Sequence, residues 1–362
     1  MADPNLFFDG LDTYGSQNAA SNSVFNPQYI DQGFRAVAGA FGGSALQVPH
    51  SGTFIFPYAG GATVTGGARF YANVSSACGF GVLFTDSSYN IMASGQVIVS
   101  PTGCVANGFT GGTFYNPGLS DLTMGGSALG ANEAVDNVNV QWFEVEVVYT
   151  PSAASGSLDV YLNGTLAFTS TVSDTIGGAG ASVAHVGFFL SGPTAIVDDM
   201  YVFNNTGSAP YNAPLSVIAG PMGPRANVAP PSSDAATMQW KPSSGTAGYA
   251  MVDETAFDGD TTYIEAGTAG LEAQFGISTL SMSNILAVKT GFVGRIDDAG
   301  LVEVNGELIV NGTITNGATE TLTANYQEFS DLYLTDPTTG AAWDPAKFAT
   351  AGVIEIGVKR TV

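Results

Sequence analysis

The residues from Trp142 to Asn204 constrain the fold more than any other part of the chain. They form three alternating segments, WFEVEVVYT, SLDVYLNGTLAFTSTV and HVGFFLSGPTAIVDDMYVFNN, separated by breaks rich in glycine, proline and serine. The middle segment contains Asn163-Gly164. Asn-Gly between alternating strands is the strongest short-range signal for a β-hairpin, because both residues of the turn must adopt positive φ. The stretch therefore predicts a series of β-hairpins.

Alternation within these strands predicts one apolar and one polar face. In WFEVEVVYT, the apolar residues Phe143, Val145 and Val147 alternate with Glu144 and Glu146. A sheet with one face on the core and the other in water is typical of a β-sandwich. We therefore expect Glu144 and Glu146 to face solvent.

The rest of the composition agrees with an all-β protein of short strands. Val, Thr, Phe, Tyr and Ile are abundant, and turn residues recur about every ten positions. No long segment has a convincing apolar period near that of an α-helix. The length of 362 residues allows two domains. We expect a first domain over residues 1–210, a proline-rich linker over 211–236 that contains Pro230-Pro231, and a second β domain over 237–362.

Several elements can be placed within these domains. Besides the hairpin series, strands are expected at 6–8, 34–38, 53–57, 68–74, 79–85 and 96–99, and then at 262–264, 285–293, 300–304, 307–310, 321–329 and 353–359. Asn305-Gly306 and Asn311-Gly312 predict tight turns. Asp344 and Pro345 are expected at the N-cap and first position of a short helical turn.

The charge distribution excludes some partners. The net charge is −22 and only nine residues are basic, which argues against binding to nucleic acid. Residues 1–224 carry 2 basic and 14 acidic side chains, a net charge of −12, and the two basic ones are Arg35 and Arg69. No long uncharged apolar run predicts insertion into a membrane. The pairing of Cys78 with Cys104 is left open.

The first domain resembles the concanavalin A-like (laminin G-like) jelly rolls. The resemblance lies in WFEVEVVY, in VYLNGTL and in the closing IVDDMYVF. It implies an all-β fold with an N-terminal concanavalin A-like jelly-roll sandwich, followed by a second, C-terminal β-sandwich-like domain.

Together with the N-terminal FFDGLDTYG, the second half is similar to virion structural proteins of tailed bacteriophages. The segments concerned are QWKPSSGTAGYAMVDE, FDGDTTYIEA, IDDAG and DPTTGAAWDPAKF with IEIGVKR. The resemblance implies a non-enzymatic component of the tail, neck or capsid surface, present in several copies and contacting other virion proteins. It also implies assembly in the host cytoplasm, which agrees with an N-terminus that lacks the pattern of a signal peptide. A module that binds host polysaccharide or another host receptor is the alternative, and a polysaccharide depolymerase is a third hypothesis.

The catalytic hypothesis depends on two carboxylates. Glucanases of the resembled fold carry two or three acids on one strand face, which supplies an acid and a nucleophile. Glu144 and Glu146 share a strand face, but the intervening Asp and the third acid are missing. The two histidines, His50 and His185, do not form a recognisable triad motif. The sequence therefore favours a protein without an active site.

Two groups of acids are candidates for calcium. Asp253, Asp258 and Asp260, with Glu254 beside them, form a cluster around Gly259. Asp198-Asp199 is a second candidate, although neighbouring strand residues point to opposite faces, so we expect only one of the two side chains to reach a given site. No other cofactor is expected.

Sugar binding would need exposed aromatic residues and polar loop groups. Tyr89, Tyr115 and Tyr211 lie in segments rich in Gly, Asn and Pro, although nothing in the sequence singles them out.

Overall fold

The computed structural model describes most of the sandwich strands and nearly all of the C-terminal third. The described residues are 7–9, 29–30, 35–38, 44–48, 51–58, 63–71, 78–88, 90–100, 103–110, 127–133, 142–152, 155–172, 182–192, 195–204, 227–254, 259–297 and 300–362. No helix among them is long and apolar enough to cross a membrane.

Two antiparallel sheets are built from strands before residue 205. The strands are β1 (Phe7–Asp9), β2 (Tyr29–Ile30), β3 (Arg35–Ala38), β4 (Ser44–Val48), β5 (Ser51–Pro57), β6 (Val64–Tyr71), β7 (Cys78–Thr85), β8 (Ile91–Ser100), β9 (Gly103–Thr110), β10 (Ser127–Glu133), β11 (Trp142–Thr150), β12 (Gly156–Leu162), β13 (Thr165–Val172), β14 (His185–Ser191) and β15 (Ala195–Asn204). One sheet has eight strands in the order β13-β12-β11-β6-β15-β4-β3, with β1 also paired to β15. The other has seven, in the order β10-β9-β8-β7-β14-β5-β2.

A single apolar core lies between these sheets. Phe70 and Phe143 of the eight-stranded sheet meet Phe80 of the seven-stranded sheet, with Phe80 at 5.1 Å from each ring centroid. Every residue of β7 is buried. The two sheets and their shared core confirm the all-β fold class with a jelly-roll sandwich at the N-terminal side.

The C-terminal part is also almost entirely β-structure. Its elements are β16 (Pro231–Met238), β17 (Lys241–Pro242), a 3-10 turn (Tyr249–Met251), β18 (Ile264–Glu265), β19 (Glu272–Ile277), β20 (Val288–Gly294), β21 (Glu303–Val310), β22 (Thr313–Thr321), β23 (Gln327–Tyr333), the short helix α1 (Pro345–Phe348) and β24 (Ile354–Arg360). A five-stranded sheet has the order β16-β19-β24-β21-β22, and β20 pairs with β23 in a separate ribbon. Phe292 of the ribbon packs against the apolar cluster around Val304 and Val358 of that sheet, which gives this part its sandwich-like layering.

The turn predictions are largely correct. Asn163 and Gly164 have φ of 49° and 75°, and Asn311 and Gly312 have φ of 50° and 75°, as the hairpin signal requires. The Asp344 side chain accepts a hydrogen bond from Ala346 N, with Pro345 opening the helix, as predicted.

Four predictions are wrong. The predicted series of hairpins holds for β11, β12 and β13, but β14 and β15 lie in different sheets, so the third segment is not a hairpin. Asn305-Gly306 lies inside β21, where the pairing with β22 shifts register, so it forms part of a bulge and joins the predicted strands 300–304 and 307–310 into one. The predicted strand 321–329 spans the end of β22, the connection and the start of β23. β16 begins at Pro231, so the end of the predicted 211–236 linker belongs to a sheet.

The strand register also shows how far apart the two cysteines lie. Cys78 and Cys104 are aligned with the same residue, Val99, from the two sides of β8. Two strand spacings of about 4.8 Å therefore separate their Cα atoms. A disulfide needs a Cα–Cα distance of about 4.4–6.8 Å, so these backbone positions do not suit one.

Candidate functional site

The outer face of the eight-stranded sheet carries a group of polar and aromatic side chains. Its three central strands, β11, β6 and β15, place these side chains in four rows. From one end of the face to the other, the rows are Trp142–Tyr71–Ile196, Glu144–Arg69–Asp198, Glu146–Gly67–Tyr201 and Val148–Thr65–Phe203.

The second row is a buried ionic network. Arg69 is 1% exposed, and its Nη1 donates to Asp199 Oδ2. Burial lowers the pKa of Arg69, whereas the charges of Asp199, Asp198 and Glu144 act in the opposite direction. One guanidinium thus lies among several carboxyl groups. In a site away from water, such charges persist only when they are paired or neutralised.

A bulge in β15 corrects the prediction for Asp198-Asp199. The register shifts between Asp198 and Tyr201, and Asp199 has a φ of 48°. The backbone N–H of Asp199 donates to Asp198 Oδ1 at 2.8 Å, and both carboxylates act on Arg69. The expectation that only one of the two could serve a site is therefore wrong, because a bulge interrupts the strict alternation of a strand.

Tyr201 of the third row contacts glutamates of two rows. The Tyr201 hydroxyl donates to Glu144 Oε1 at 2.5 Å and also interacts with Glu146. Burial, reinforced by the charge of Glu146, raises the pKa of Glu144 well above its ordinary value. Burial also raises the pKa of Tyr201, and the charge of Glu144 adds to this. The buried position therefore favours the protonated form of Glu144 more than an exposed position would.

The burial of both glutamates contradicts the expectation that they face solvent. Glu144 is 1% exposed and Glu146 is 0% exposed. Glu144 Oε2 is buried and has no hydrogen-bond partner among the described residues. A raised pKa would suit a general acid, whereas the burial of both carboxyl groups separates them from solvent.

The two ends of the outer face differ in exposure. At one end, Tyr201 and Phe203 are buried, and Leu286 and Leu334 of the C-terminal part pack against them. At the other end, Tyr71 and Trp142 are only partly buried, and their ring centroids lie 5.4 Å apart in an edge-on arrangement. The aromatic pair therefore forms a partly exposed end of the three central strands.

The first row extends beyond the aromatic pair. Ile196 is aligned with Gln47 of β4, and Gln47 is aligned with Arg35 of β3. The row crosses five strands, a length of about 19 Å at 4.8 Å per strand. The two basic residues of the first 224 positions, Arg35 and Arg69, thus occupy adjacent rows of one sheet.

Sequence reasoning overlooked Tyr71 and Trp142. The proposed sugar-contacting residues Tyr89, Tyr115 and Tyr211 lie outside the described residues. A signal for Trp142 was nevertheless present, because strand alternation places it on the same face as Glu144 and Glu146. An aromatic residue on the polar face of a strand is what marks the partly exposed end.

Three acids of the predicted cluster in the second half lie among the described residues. Asp253 and Glu254 are exposed, and Glu254 accepts a hydrogen bond from the Thr262 hydroxyl. Asp260 accepts from Arg295 Nη2 at 2.9 Å and from the Tyr326 hydroxyl at 2.5 Å.

Asp258 lies outside the described residues. In the part of the chain that is described, no group of three or more His, Cys, Asp or Glu side chains is arranged to hold a metal ion. The calcium hypothesis remains a prediction.

His185 is the histidine that lies among the described residues. His185 is the first residue of β14, and its Nδ1 lies 3.2 Å from Thr85 Oγ1 and 3.2 Å from the Asp86 carbonyl oxygen. Burial lowers the pKa of His185. These contacts are those of a strand histidine at the edge of the core, and His50 lies outside the described residues.

No protein family and no curated protein sequence matches this chain. Solved structures with a similar fold include the CBM2 module of the evolved Dit of Lactobacillus casei BL23 phage J-1, at 10% identity and a TM-score of 0.33, covering 56% of this chain and 90% of that one. A Bacillus subtilis protein of unknown function with a galectin-like fold has 8% identity and a TM-score of 0.38, with coverages of 56% and 97%. The carbohydrate-binding module CBM66 from Bacillus subtilis has 13% identity and a TM-score of 0.29, with coverages of 46% and 89%. Such distant similarity assigns no function to this chain.

Proposed function

We propose that the protein is a non-enzymatic carbohydrate-binding component of a bacteriophage particle, and that sugar binds at the partly exposed end of the outer face. The observation that carries this proposal is the partly exposed pair Tyr71 and Trp142, which borders a buried polar network on the same sheet. Binding sites for small molecules commonly combine aromatic surface with a few fixed polar groups. Tyr and Trp also supply contact area at a low cost in conformational entropy.

The buried network in the row next to the aromatic pair supports preorganised binding. Arg69 and Glu144 are aligned with each other in the row next to Tyr71 and Trp142. Arg69 is ion-paired to Asp199 on the next strand, so three strands are held in one register. A rigid platform reduces the entropy lost on binding, which favours a flat sugar-binding surface.

The same network argues against the depolymerase hypothesis. Glu144 and Glu146, the acids nearest to the glucanase pattern, interact with Tyr201 and are buried. If the protein nevertheless released sugar from bacterial polysaccharide, Glu144→Gln and Glu146→Gln would test this pair. A rate of sugar release that is lower in these variants than in the wild type would contradict the non-enzymatic proposal.

The placement on a phage particle rests on the sequence resemblance of both halves. In this proposal, the protein is assembled in the host cytoplasm, contacts other virion proteins and is displayed in several copies. Electron microscopy of particles labelled with an antibody to this protein tests the placement. Unlabelled particles from a lysate that contains the free protein would contradict it.

The basic residues of the C-terminal part do not identify a docking face. Lys241, Lys289, Arg295, Lys347 and Lys359 each form an ion pair with an acid of the same chain. Arg360 donates to the carbonyl oxygens of Ala266 and Val362. Because these cations are already engaged, charge complementarity gives no reason to expect docking through this half in preference to the other.

The binding proposal is tested with the full chain and immobilised polysaccharides purified from bacterial cell surfaces. Trp142→Ala and Tyr71→Ala are each expected to weaken binding about tenfold or more, because each removes half of the aromatic surface. Tyr263→Ala is the matched control, since Tyr263 is an exposed aromatic residue of the C-terminal part, 39% exposed. Thermal unfolding of each variant establishes that the fold is retained. Binding that survives both substitutions, or is lost equally in the control, would overturn the assignment of the site.

A further inference from the structure

We propose that the free edge of β22 pairs with the same strand of a second copy of this chain. β22 is the terminal strand of the five-stranded sheet and pairs with β21 alone among the described strands. None of its nine residues is buried, and Ile314 is 45% exposed. A long exposed edge strand is a template for pairing with another chain. This inference is independent of sugar binding.

The hairpin register identifies which backbone groups are available. The two-residue turn Asn311-Gly312 makes Val310 and Thr313 a hydrogen-bonded pair. Since hydrogen-bonded and non-hydrogen-bonded pairs alternate, the N–H and C=O groups of Ile314 and Asn316 point away from β21. These two residues supply the donors and acceptors of the free edge.

The far end of β22 is closed by a side chain. The N–H of Ala318 donates to Asp331 Oδ1 at 2.9 Å, and the Asp331 carboxylate lies directly against Gly317. A charged side chain at a strand edge is a common means of preventing pairing. Asp331 therefore limits pairing to the first half of the strand.

The opposite edge of the same sheet is protected in other ways. β16 begins with Pro231, and its register with β19 shifts twice. Proline and bulges both discourage the addition of a strand. By contrast, β22 contains no Pro or Lys, and Glu320 is its single charged residue.

Repulsion between two acidic copies is weakest at an uncharged segment such as the first part of β22. Each copy carries a net charge of −22, so contact between charged surfaces of two copies is opposed. The segment from Thr313 to Thr319 has no charged residue. Antiparallel pairing centred on Thr315 would align Ile314 of each copy with Asn316 of the other, so that both supply the same groups to an isologous contact.

Such a contact is small, and its effect depends on the local concentration of copies. Copies attached next to one another on a particle experience an effective concentration of about millimolar, at which a weak contact is occupied. The proposed role of the β22 edge is therefore lateral contact between neighbouring copies.

The test measures association of the full chain by sedimentation velocity over a concentration series at low and high salt. Reversible association that strengthens with salt is expected, because salt screens the repulsion between acidic copies. Asn316→Pro removes an outward N–H, and Ile314→Lys adds charge at the edge. Each should weaken association by about tenfold or more.

Thr169→Lys on β13 is the control, since β13 is the exposed edge strand of the eight-stranded sheet. It should leave association unchanged, and circular dichroism establishes that every variant is folded. A wild-type chain that remains monomeric at the highest concentration in high salt would overturn the proposal. Association lost in Thr169→Lys but retained in Ile314→Lys would also overturn it.

Discussion

The aromatic ring of Tyr201 lies directly over Gly67 on the neighbouring strand. A Cβ atom at Gly67 would stand 2.3 Å from Tyr201 Cζ, a distance that no real contact permits. The missing side chain gives the ring its space on the sheet and allows the hydroxyl to reach Glu144. The glycine thus determines the position of the buried polar network.

Gly67→Ala is expected to destabilise the fold by about 1–3 kcal/mol, as overpacking of a filled site does. The ring must move, and the hydrogen bond to Glu144 is then strained or broken. Urea unfolding measures the change. Gly267→Ala is the control, because a Cβ there would meet no atom within 4 Å. Equal stabilities of Gly67→Ala and the wild type would show that the ring position is not constrained.

Removal of the Arg69 charge should be among the most damaging substitutions in the sandwich. Arg69→Met leaves the buried Asp199 carboxylate without its cation. Loss of one partner of a buried pair costs about 3–5 kcal/mol. The double variant Arg69→Met/Asp199→Asn should recover part of this loss, because the uncompensated charge is then also removed.

Lys241→Met is the matched control for the ion pair. Its pair with Glu265 is exposed, with side-chain exposures of 79% and 52%, so its loss should cost about 1 kcal/mol or less. Unfolding in urea compares all four proteins. A loss in Arg69→Met no larger than in Lys241→Met would contradict the role of the network.

Glu144 should make the stability of the protein fall as the pH rises. Its pKa in the folded protein is well above the value of 4.5 expected for the unfolded chain. The folded state therefore binds the proton more tightly than the unfolded state does. The contribution of Glu144 is fully present below pH 4.5 and is lost progressively as the pH rises towards the folded pKa.

Glu144→Gln imitates the neutral carboxyl and should remove this dependence. The variant is expected to resemble the wild type at low pH and to be more stable above neutral pH. Free energies of unfolding measured across the pH range test this, with the surface substitution Glu265→Gln as the control. A difference between wild type and Glu144→Gln that does not change with pH would contradict the assignment.

Asn163 has both a conformational and a side-chain role in the central hairpin. Its φ is 49°, and its Oδ1 accepts a hydrogen bond from Glu144 N at 2.9 Å. Asn163→Gly keeps the turn conformation and loses the hydrogen bond, whereas Asn163→Ala loses both. The alanine variant should be less stable by about a further 1–2 kcal/mol, the cost of a left-handed conformation. The free energies of unfolding of the two variants test this. A glycine variant less stable than the alanine variant would contradict it.

Much of the fold could be predicted from the sequence because its signals are local. Asn163-Gly164 and Asn311-Gly312 form their turns wherever the flanking strands pair, and Asp344 caps its own helix. Asn305-Gly306 carries the same turn signal, yet it lies within a strand. Asn305-Gly306 stays within a strand because β21 is paired on both sides. A dipeptide cannot specify such pairing.

The candidate site could be predicted only in part. Strand alternation correctly groups Trp142, Glu144 and Glu146 on one face. It cannot show that Tyr71 is aligned with Trp142, because that register joins strands far apart in the sequence. Nor can it show that Asp198 and Asp199 both act on Arg69, because the bulge in β15 is a feature of the assembled sheet.

The paired strands β11, β12 and β13 were determined by the sequence alone, through alternation and turn chemistry that act over a few residues, whereas the tertiary structure placed β14 and β15 in different sheets. The tertiary structure also decided which end of the outer face is partly exposed and which is buried. Burial of Glu144 depends on neighbouring strands, and burial of Phe203 depends on contact with Leu286 and Leu334. Burial is a property of what covers a residue, so it depends on contacts between distant segments that no local pattern contains.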